Sequence, residues 1–259
     1  MHMDFCKKSL NVSKFCSNTA VYSEMCVFPL EHQAYSLTIK YWLRLVNGTE
    51  NVLLNECYND SLNMNSEWLD GLNSTLNING FGNIWINPES VNKDTFHKLF
   101  RQSVNDQFIQ NLNGKLSTSN RLKLLHALTS DRSRYTRMKY IELIKSCDVR
   151  NIFTRLRIDC HILESSQRKL NKSSNGICPN CDSNVIETPI HFLLNCQKFA
   201  SERTRAYNIL LEKDSCFSMM NETEKVKYIL NLDCPDSCIN ICCNFVSSLY
   251  RKRVKLEEN

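Results

Sequence analysis

Glycine and proline are scarce in this sequence, with only 6 glycines and 5 prolines in 259 residues. A β-sandwich or β-barrel needs many tight turns, so this scarcity argues against both folds and favours helices. No run approaches the ~18 apolar residues of a membrane-spanning helix. The first ten residues have no apolar run of signal-peptide length and carry Asp4, Lys7 and Lys8. We therefore expect an intracellular protein, in the cytoplasm or nucleus, with no membrane partner.

Sequence signatures of enzymes are missing as well. There is no G-x-S-x-G elbow, Walker loop, H-E-x-x-H motif or dinucleotide fingerprint. No two aspartates are adjacent, and no carboxylate cluster stands out that could hold the ions of a two-metal nucleotidyl transferase. The sequence predicts no catalytic residues and no enzyme activity for this chain.

Cysteine, in contrast, is abundant, with 14 residues. A disulfide scaffold is typical of short secreted chains, so in a reducing compartment we expect free thiols, core residues or metal ligands. Four cysteines crowd near the C-terminus, at Cys234, Cys238, Cys242 and Cys243. Steps of four would align three of them on one helix face, which permits a metal site, but their apolar neighbours favour core packing.

The hydrophobic periodicity predicts a mainly α fold with a multi-helix scaffold. A cluster of three cysteines and one histidine between residues 178 and 196 adds a small zinc-binding module (a short hairpin plus a helix) in the C-terminal half. Residues 1–164 form a helical region, 165–176 a polar loop, and 177–259 the zinc-binding module and C-terminal helices. The predicted helices span about 4–10, 19–26, 31–46, 52–62, 66–76, 92–114, 119–128, 134–146, 148–158, 197–213, 221–231 and 236–253.

Cys178, Cys181, His191 and Cys196 follow the spacing Cys-x2-Cys-x9-His-x4-Cys. Two thiolates three positions apart in a turn can hold one ion, and a second pair about ten residues on completes a tetrahedron. Three sulfurs and one imidazole suit Zn2+ better than Mg2+ or Ca2+. The alternative, a redox Cys-x-x-Cys pair, normally begins a helix in a βαβ unit, and no such unit is apparent. Because four protein ligands close the site, we expect a structural Zn2+.

The second ligand pair poses a geometric problem. Five positions on an α-helix correspond to ~500°, so His191 and Cys196 would point ~140° apart. The sequence therefore predicts that Cys196 lies at a helix end or in a distorted last turn.

Positive charge is concentrated in residues 131–205, which carry 14 basic and 8 acidic side chains, a net charge of +6. Such an excess suggests a polyanionic partner, although a solvated basic face explains it equally well. Three aromatic residues could stack on unpaired bases, but each is more often part of a core: Tyr135, Tyr140 and Phe153. The candidate nucleic-acid-binding residues are Arg137, Lys139, Arg150, Arg155, Arg157, Arg168, Lys169 and Lys172.

Several segments together resemble the region that follows the polymerase domain in non-LTR (LINE-type) retrotransposon reverse transcriptases of invertebrates. The similar segments cover most of the chain and are 5–12 (FCKKSLNV), 17–24 (SNTAVYSE), 28–30, 39–45, 79–85 (NGFGNIW), 154–158 (TRLRI), 187–196 (ETPIHFLLNC) and 245–250. The sequence departs from the family pattern at four positions: Asn11 and Cys26 replace glycines, Ile190 replaces an aromatic residue, and Gln197 replaces a proline.

The resemblance implies Zn2+ at the same four ligands and contact with element RNA or target DNA near the priming step. It also implies that the catalytic aspartates of the family belong to a polymerase domain upstream of this chain. The chain would then be a tail fragment, a decayed copy of the element or a tail encoded separately. The alternative hypothesis is a zinc-stapled helical protein-interaction or structural domain with no nucleic-acid role. The oligomeric state is open.

Overall fold

The computed structural model describes residues 2–64, 66–132, 134–170 and 174–257. Helices account for 72% of the structure, and no strand occurs in these residues, which confirms the predicted mainly α fold. The α-helices are α1 (His2–Ser9), α2 (Asn18–Met25), α3 (Leu30–Val46), α4 (Val52–Asn63), α5 (Glu67–Ile78), α6 (Gly82–Ile86), α7 (Lys93–Thr118), α8 (Lys123–Thr129), α9 (Lys139–Leu143), α10 (Cys147–Arg157), α11 (Glu164–Leu170), α12 (Ala200–Lys213), α13 (Glu222–Leu230) and α14 (Asp236–Glu257). Short 3-10 helices occupy Pro88–Ser90, Gln197–Phe199 and Ser215–Met219, and a π-helix occupies His191–Asn195.

The chain folds into two compact units. The first unit combines Met1–Cys26 with Asn113–Asn259, and the second is Val27–Leu112. The division predicted from the sequence, at residues 165–176, does not coincide with the boundary between these units. That segment was also predicted to be a polar loop, but its first part is helical, since α11 runs from Glu164 to Leu170.

The second unit is built around one apolar cluster. Its centre is Trp42 on α3, which is fully buried and stacks on Trp85 of α6 with ring centroids 5.5 Å apart. Ser66 begins α5 as predicted, because its side chain accepts a hydrogen bond from the Leu69 amide. The remaining core side chains of this unit come from α3, α5, α6 and α7 and are Ile39, Leu43, Leu69, Leu72, Leu76, Ile84, Phe96, Phe100 and Val104.

The first unit has the larger core, to which α10, α12, α13 and α14 contribute. The segment around the predicted metal ligands belongs to this core, since Cys178, Phe192, Leu193 and Cys196 are all buried in it. Phe192 and Phe199 meet edge to face with ring centroids 5.2 Å apart. The predicted zinc-binding module is therefore part of the helical core of this unit. Among the described residues, no helix combines the length and the apolar character needed to cross a membrane.

Candidate metal centre

The first ligand pair lies in a turn that is closed by a minimal antiparallel bridge. Ile177 pairs with Ile186, and two backbone hydrogen bonds flank the pair: Cys178 N to Val185 O at 2.8 Å and Glu187 N to Gly176 O at 2.9 Å. This bridge is what remains of the predicted short hairpin. It fixes both ends of the segment that carries Cys178 and Cys181.

The second ligand pair lies on a helical segment that begins after Thr188. The Thr188 hydroxyl accepts a hydrogen bond from His191 N at 3.1 Å, in the manner of an N-cap. The segment then becomes the π-helix His191–Asn195, in which Cys196 N donates to His191 O at 2.7 Å. An i→i+5 bond widens the turn, so residues five apart come closer to alignment than on an α-helix. The distortion predicted from the spacing is confirmed.

The four side chains converge as predicted. The thiol sulfurs of Cys178, Cys181 and Cys196 and one ring nitrogen of His191 all lie within 4.8 Å of one another. Cys178 Sγ is 3.8 Å from Cys196 Sγ, and Cys181 Sγ is 3.4 Å from His191 Nε2. Tetrahedral Zn2+ with its usual bond lengths would give edges of about 3.8 Å between sulfurs and about 3.5 Å from sulfur to nitrogen. The group could hold a metal ion.

Burial favours the neutral forms of three of these ligands. It raises the pKa of the Cys178 thiol to about 12, raises the pKa of Cys196, and lowers the pKa of the His191 imidazole. At Cys181 burial also raises the pKa, but hydrogen bonds from Ser183, whose hydroxyl lies 2.8 Å from the sulfur, help to make the net shift downward. A cation that binds here must displace protons from the thiols, while the imidazole is already in its ligating form.

A fully buried ion pair supports the first ligand pair. Glu187 accepts hydrogen bonds from Arg253 Nε at 2.7 Å, from Arg253 Nη2 at 3.1 Å and from the Glu164 amide at 2.9 Å. Its Oε1 atom also lies 3.9 Å from Cys178 Sγ. Arg253 was not among the functional residues predicted from the sequence. A signal was present, because Arg253 continues the apolar register of Cys242, Val246 and Tyr250 on α14, and all four are buried.

Two of the candidate nucleic-acid-binding residues are exposed and share one cavity. Arg137 and Lys139 line a cavity of about 210 Å³ together with Arg132 and Lys227. The same cavity contains two carboxylates, of which Asp233 lies 3.6 Å from Lys139 Nζ. Its net charge is positive.

The other exposed or half-exposed candidates do not gather at that cavity. Arg150 is half-buried and donates to Ile144 O at 3.2 Å, and Arg155 donates to Asn11 O at 3.1 Å. Arg168 is exposed on α11. Lys169 belongs to the same helix, but its side chain lies outside the described part of the chain, and Lys172 lies outside the described residues altogether.

Arg157, predicted to contact nucleic acid, is fully buried and is not part of an exposed basic face. Its side chain is fully inaccessible and pairs with Glu24, with Nε 2.9 Å from Oε1. Its guanidinium also donates to Leu230 O at 3.2 Å and lies over the Tyr140 ring. Tyr140 and Phe153 are likewise fully buried, and burial raises the pKa of the Tyr140 hydroxyl well above its usual value. Phe153 and Arg157 belong to the core of the first unit because α10 turns this face inward, and Tyr140 reaches the same core from α9.

The C-terminal cysteines pack in the core, which is the arrangement that the sequence favoured over a metal site. Cys238 and Cys242 are fully buried, and Cys234 and Cys243 pack against the same cluster. Cys234 precedes α14, which begins at Asp236, so the three cysteines do not form one helix face as the spacing suggested. Among the described residues, only the Cys178 group brings three or more potential ligand side chains together.

Comparisons of the chain with protein-family models, with curated proteins and with solved structures find no match.

Proposed function

We propose that this chain is a zinc-stabilised tail region of a non-LTR retrotransposon reverse transcriptase that binds RNA or single-stranded target DNA and has no catalytic centre of its own. The observation that carries the proposal is the convergence of Cys178, Cys181, His191 and Cys196. Their spacing and their tetrahedral edge lengths agree with a closed Zn2+ site.

The choice of Zn2+ rests on the ligand chemistry. Three sulfurs and one imidazole select a soft or borderline cation over Mg2+ or Ca2+. With four protein ligands in place, no coordination position is left for a reacting water, so the ion's role is structural. Its binding free energy then contributes directly to the stability of the first unit.

Two backbone positions support the resemblance to the retrotransposon family. Asn11 and Cys26 stand where the family has glycine, and both adopt left-handed backbone conformations, with φ of 50° and 51°. Glycine is the residue that favours this conformation. Both turns therefore have the left-handed backbone conformation that glycine, the family's residue at these positions, adopts most easily.

Nucleic-acid binding is supported by the location of the positive charge. Residues 131–205 carry a net charge of +6, and within them Arg137, Lys139 and Arg168 are exposed. Cations in this arrangement can contact phosphates, and such contacts make affinity depend on salt, with a slope in log K against log salt of about −0.7 per phosphate on a single strand.

Binding is tested by fluorescence anisotropy with a labelled single-stranded RNA or DNA, titrated at several salt concentrations. We expect affinity to fall steeply with salt. The triple variant Arg137→Gln, Lys139→Gln, Arg168→Gln should bind more weakly and reduce the slope by up to about 2. The absence of binding at low salt would contradict the proposal and favour a protein-interaction domain.

The metal site is tested by elemental analysis of the purified protein. The wild type should contain about one zinc per chain, and the double variant Cys178→Ser, Cys181→Ser should contain none. The matched control is Cys57→Ser with Cys147→Ser, which alters two exposed cysteines and should keep the metal. Zinc retained in the Cys178, Cys181 double variant would overturn the ligand assignment.

A further inference from the structure

A cavity of about 280 Å³ lies in the first unit beside the segment that leads into the π-helix. It is bounded by α8, the end of α10, the start of α11, residues 188–190 and α13. Its walls are largely apolar side chains: Leu124, Ala127, Leu128, Leu156, Ile190 and Val226. With a liquid volume of about 30 Å³ per water molecule, the space corresponds to roughly nine waters, enough for one heterocyclic ring system.

A buried hydroxyl lines this cavity without a hydrogen-bond partner. Ser165 is 7% exposed, and its Oγ atom has no partner among the described residues. A buried polar atom left unsatisfied destabilises the fold, so native structures rarely contain one without a reason. A ligand with a hydrogen-bonding edge would supply the missing partner.

The lining also carries cations near solvent. Lys123 is exposed, and Arg121 is half-buried with its guanidinium held by Asp159, Nε to Oδ2 at 3.1 Å. Apolar walls, two inner polar groups (the Ser165 hydroxyl and the Arg157 guanidinium) and cations near solvent together match a flat heterocycle that has a polar edge and carries an anionic group outside the cavity. A nucleotide in a strand has this combination, because its base is flat and its edge is polar while its phosphate is charged.

We propose that this cavity receives one unpaired base of a bound RNA or DNA strand, with Ser165 on the base edge and Lys123 near the phosphate. This inference rests on the proposed nucleic-acid binding and names the site at which a base is recognised.

The cavity is linked to the metal centre through its wall. Thr188, Pro189 and Ile190 line the cavity and directly precede His191. Thr188 Oγ1 also accepts the hydrogen bond from His191 N. An ion that fixes the His191 ring therefore fixes this wall, and the contribution of the base to binding should depend on the metal.

The test compares an oligothymidylate with an oligomer of the same length made of abasic residues, because both carry the same phosphate charge. Stacking and burial of a base strengthen binding, so the base-bearing strand should bind the zinc-loaded protein about tenfold more tightly. Equal affinity for the two strands would overturn the cavity proposal while leaving the proposed function intact. Failure of both strands to bind at low salt would overturn both proposals.

Two variants locate the effect. Ala127→Phe fills the cavity and should bring the base-bearing strand down to the affinity of the abasic strand, without changing the latter. Ala200→Phe is the matched control, because Ala200 is exposed and lies outside the cavity lining. Ser165→Ala is a smaller change and should weaken only the base-bearing strand, by about two- to tenfold. The proposal would be overturned if the ratio of the affinities for the base-bearing and abasic strands stayed unchanged in both Ala127→Phe and Ser165→Ala while circular dichroism showed an intact fold. The base would then bind elsewhere.

Discussion

The Glu187→Ala substitution is expected to lower the free energy of unfolding by about 3–5 kcal/mol, because it leaves a buried guanidinium without its main counter-charge. Glu187 is fully buried and Arg253 is 1% exposed. Both guanidinium contacts to Glu187 are short, at 2.7 and 3.1 Å. The other nearby carboxylate, Glu164, lies 3.6 Å from Arg253 Nη2 and is partly exposed to solvent, so it compensates only weakly.

Two further variants separate charge from packing. Glu187→Gln keeps the shape and one acceptor oxygen and should cost less than Glu187→Ala. Replacing both partners, as Glu187→Leu with Arg253→Met, should cost less than the sum of the two single substitutions, because neither partner is then left alone in the core.

The measurement is urea denaturation with excess zinc present, so that the metal contributes equally to every variant. The matched control is Glu202→Ala, which breaks the neighbouring pair of Glu202 with Lys252 on partly exposed side chains and should cost less than about 1 kcal/mol. A loss below about 1 kcal/mol for Glu187→Ala, or additive costs in the double variant, would refute the reasoning.

Two other substitutions test the outcome for Arg157 and the left-handed turn at Asn11. Arg157→Met should destabilise the protein by about 3–5 kcal/mol, because the side chain is fully buried against Glu24. It should leave the salt dependence of nucleic-acid binding unchanged. A reduced salt slope in fluorescence anisotropy would show that Arg157 contacts phosphate. Asn11→Ala should lower the free energy of unfolding, measured by urea denaturation, by about 1 kcal/mol because alanine disfavours the φ of 50°. Asn11→Gly should not lower it. Equal stabilities of the two variants would show that this turn is not strained.

The ligand set and the helix distortion between His191 and Cys196 were predictable from the sequence because both follow from spacing alone. A five-residue step cannot bring two side chains to one ion on a regular α-helix. The structure meets this constraint with the π-helix His191–Asn195. Local spacing thus determined local geometry at this site.

The burial of Arg157 was not predicted because net charge does not distinguish the faces of a helix. Arg155 and Arg157 are two positions apart, which is about 200° around an α-helix, so they cannot both lie on one exposed face. Arg157 shares the buried face of Phe153 and Thr154, whereas Arg155 is half-exposed. Its partner Glu24 is 133 positions away in the sequence, and no local pattern indicates such a pair.

The helix-termination signal at Gly114 gave a wrong helix end. The sequence placed the end of the long amphipathic helix there, but α7 continues to Thr118. A glycine inside a helix costs about 1 kcal/mol relative to alanine, which packing can offset. Leu112 and Leu116 flank the glycine and are both buried, and Leu116 lies beyond the predicted end. Burial of apolar side chains on both sides therefore outweighed the local preference to stop.

The position of the metal group in the core determines what loss of the ion would do. Cys196 is fully buried and Cys178 nearly so, and both belong to the same apolar cluster as α10, α12, α13 and α14. Without a cation, the four ligands would leave three sulfurs and an imidazole in this core with only weak hydrogen bonds between them. Because the π-helix joins these ligands directly to Phe192 and Leu193, disorder at the site would reach the centre of the first unit. Removal of the proposed Zn2+ by a chelator should therefore loosen that unit as a whole, and the proposed binding function would be lost together with its fold.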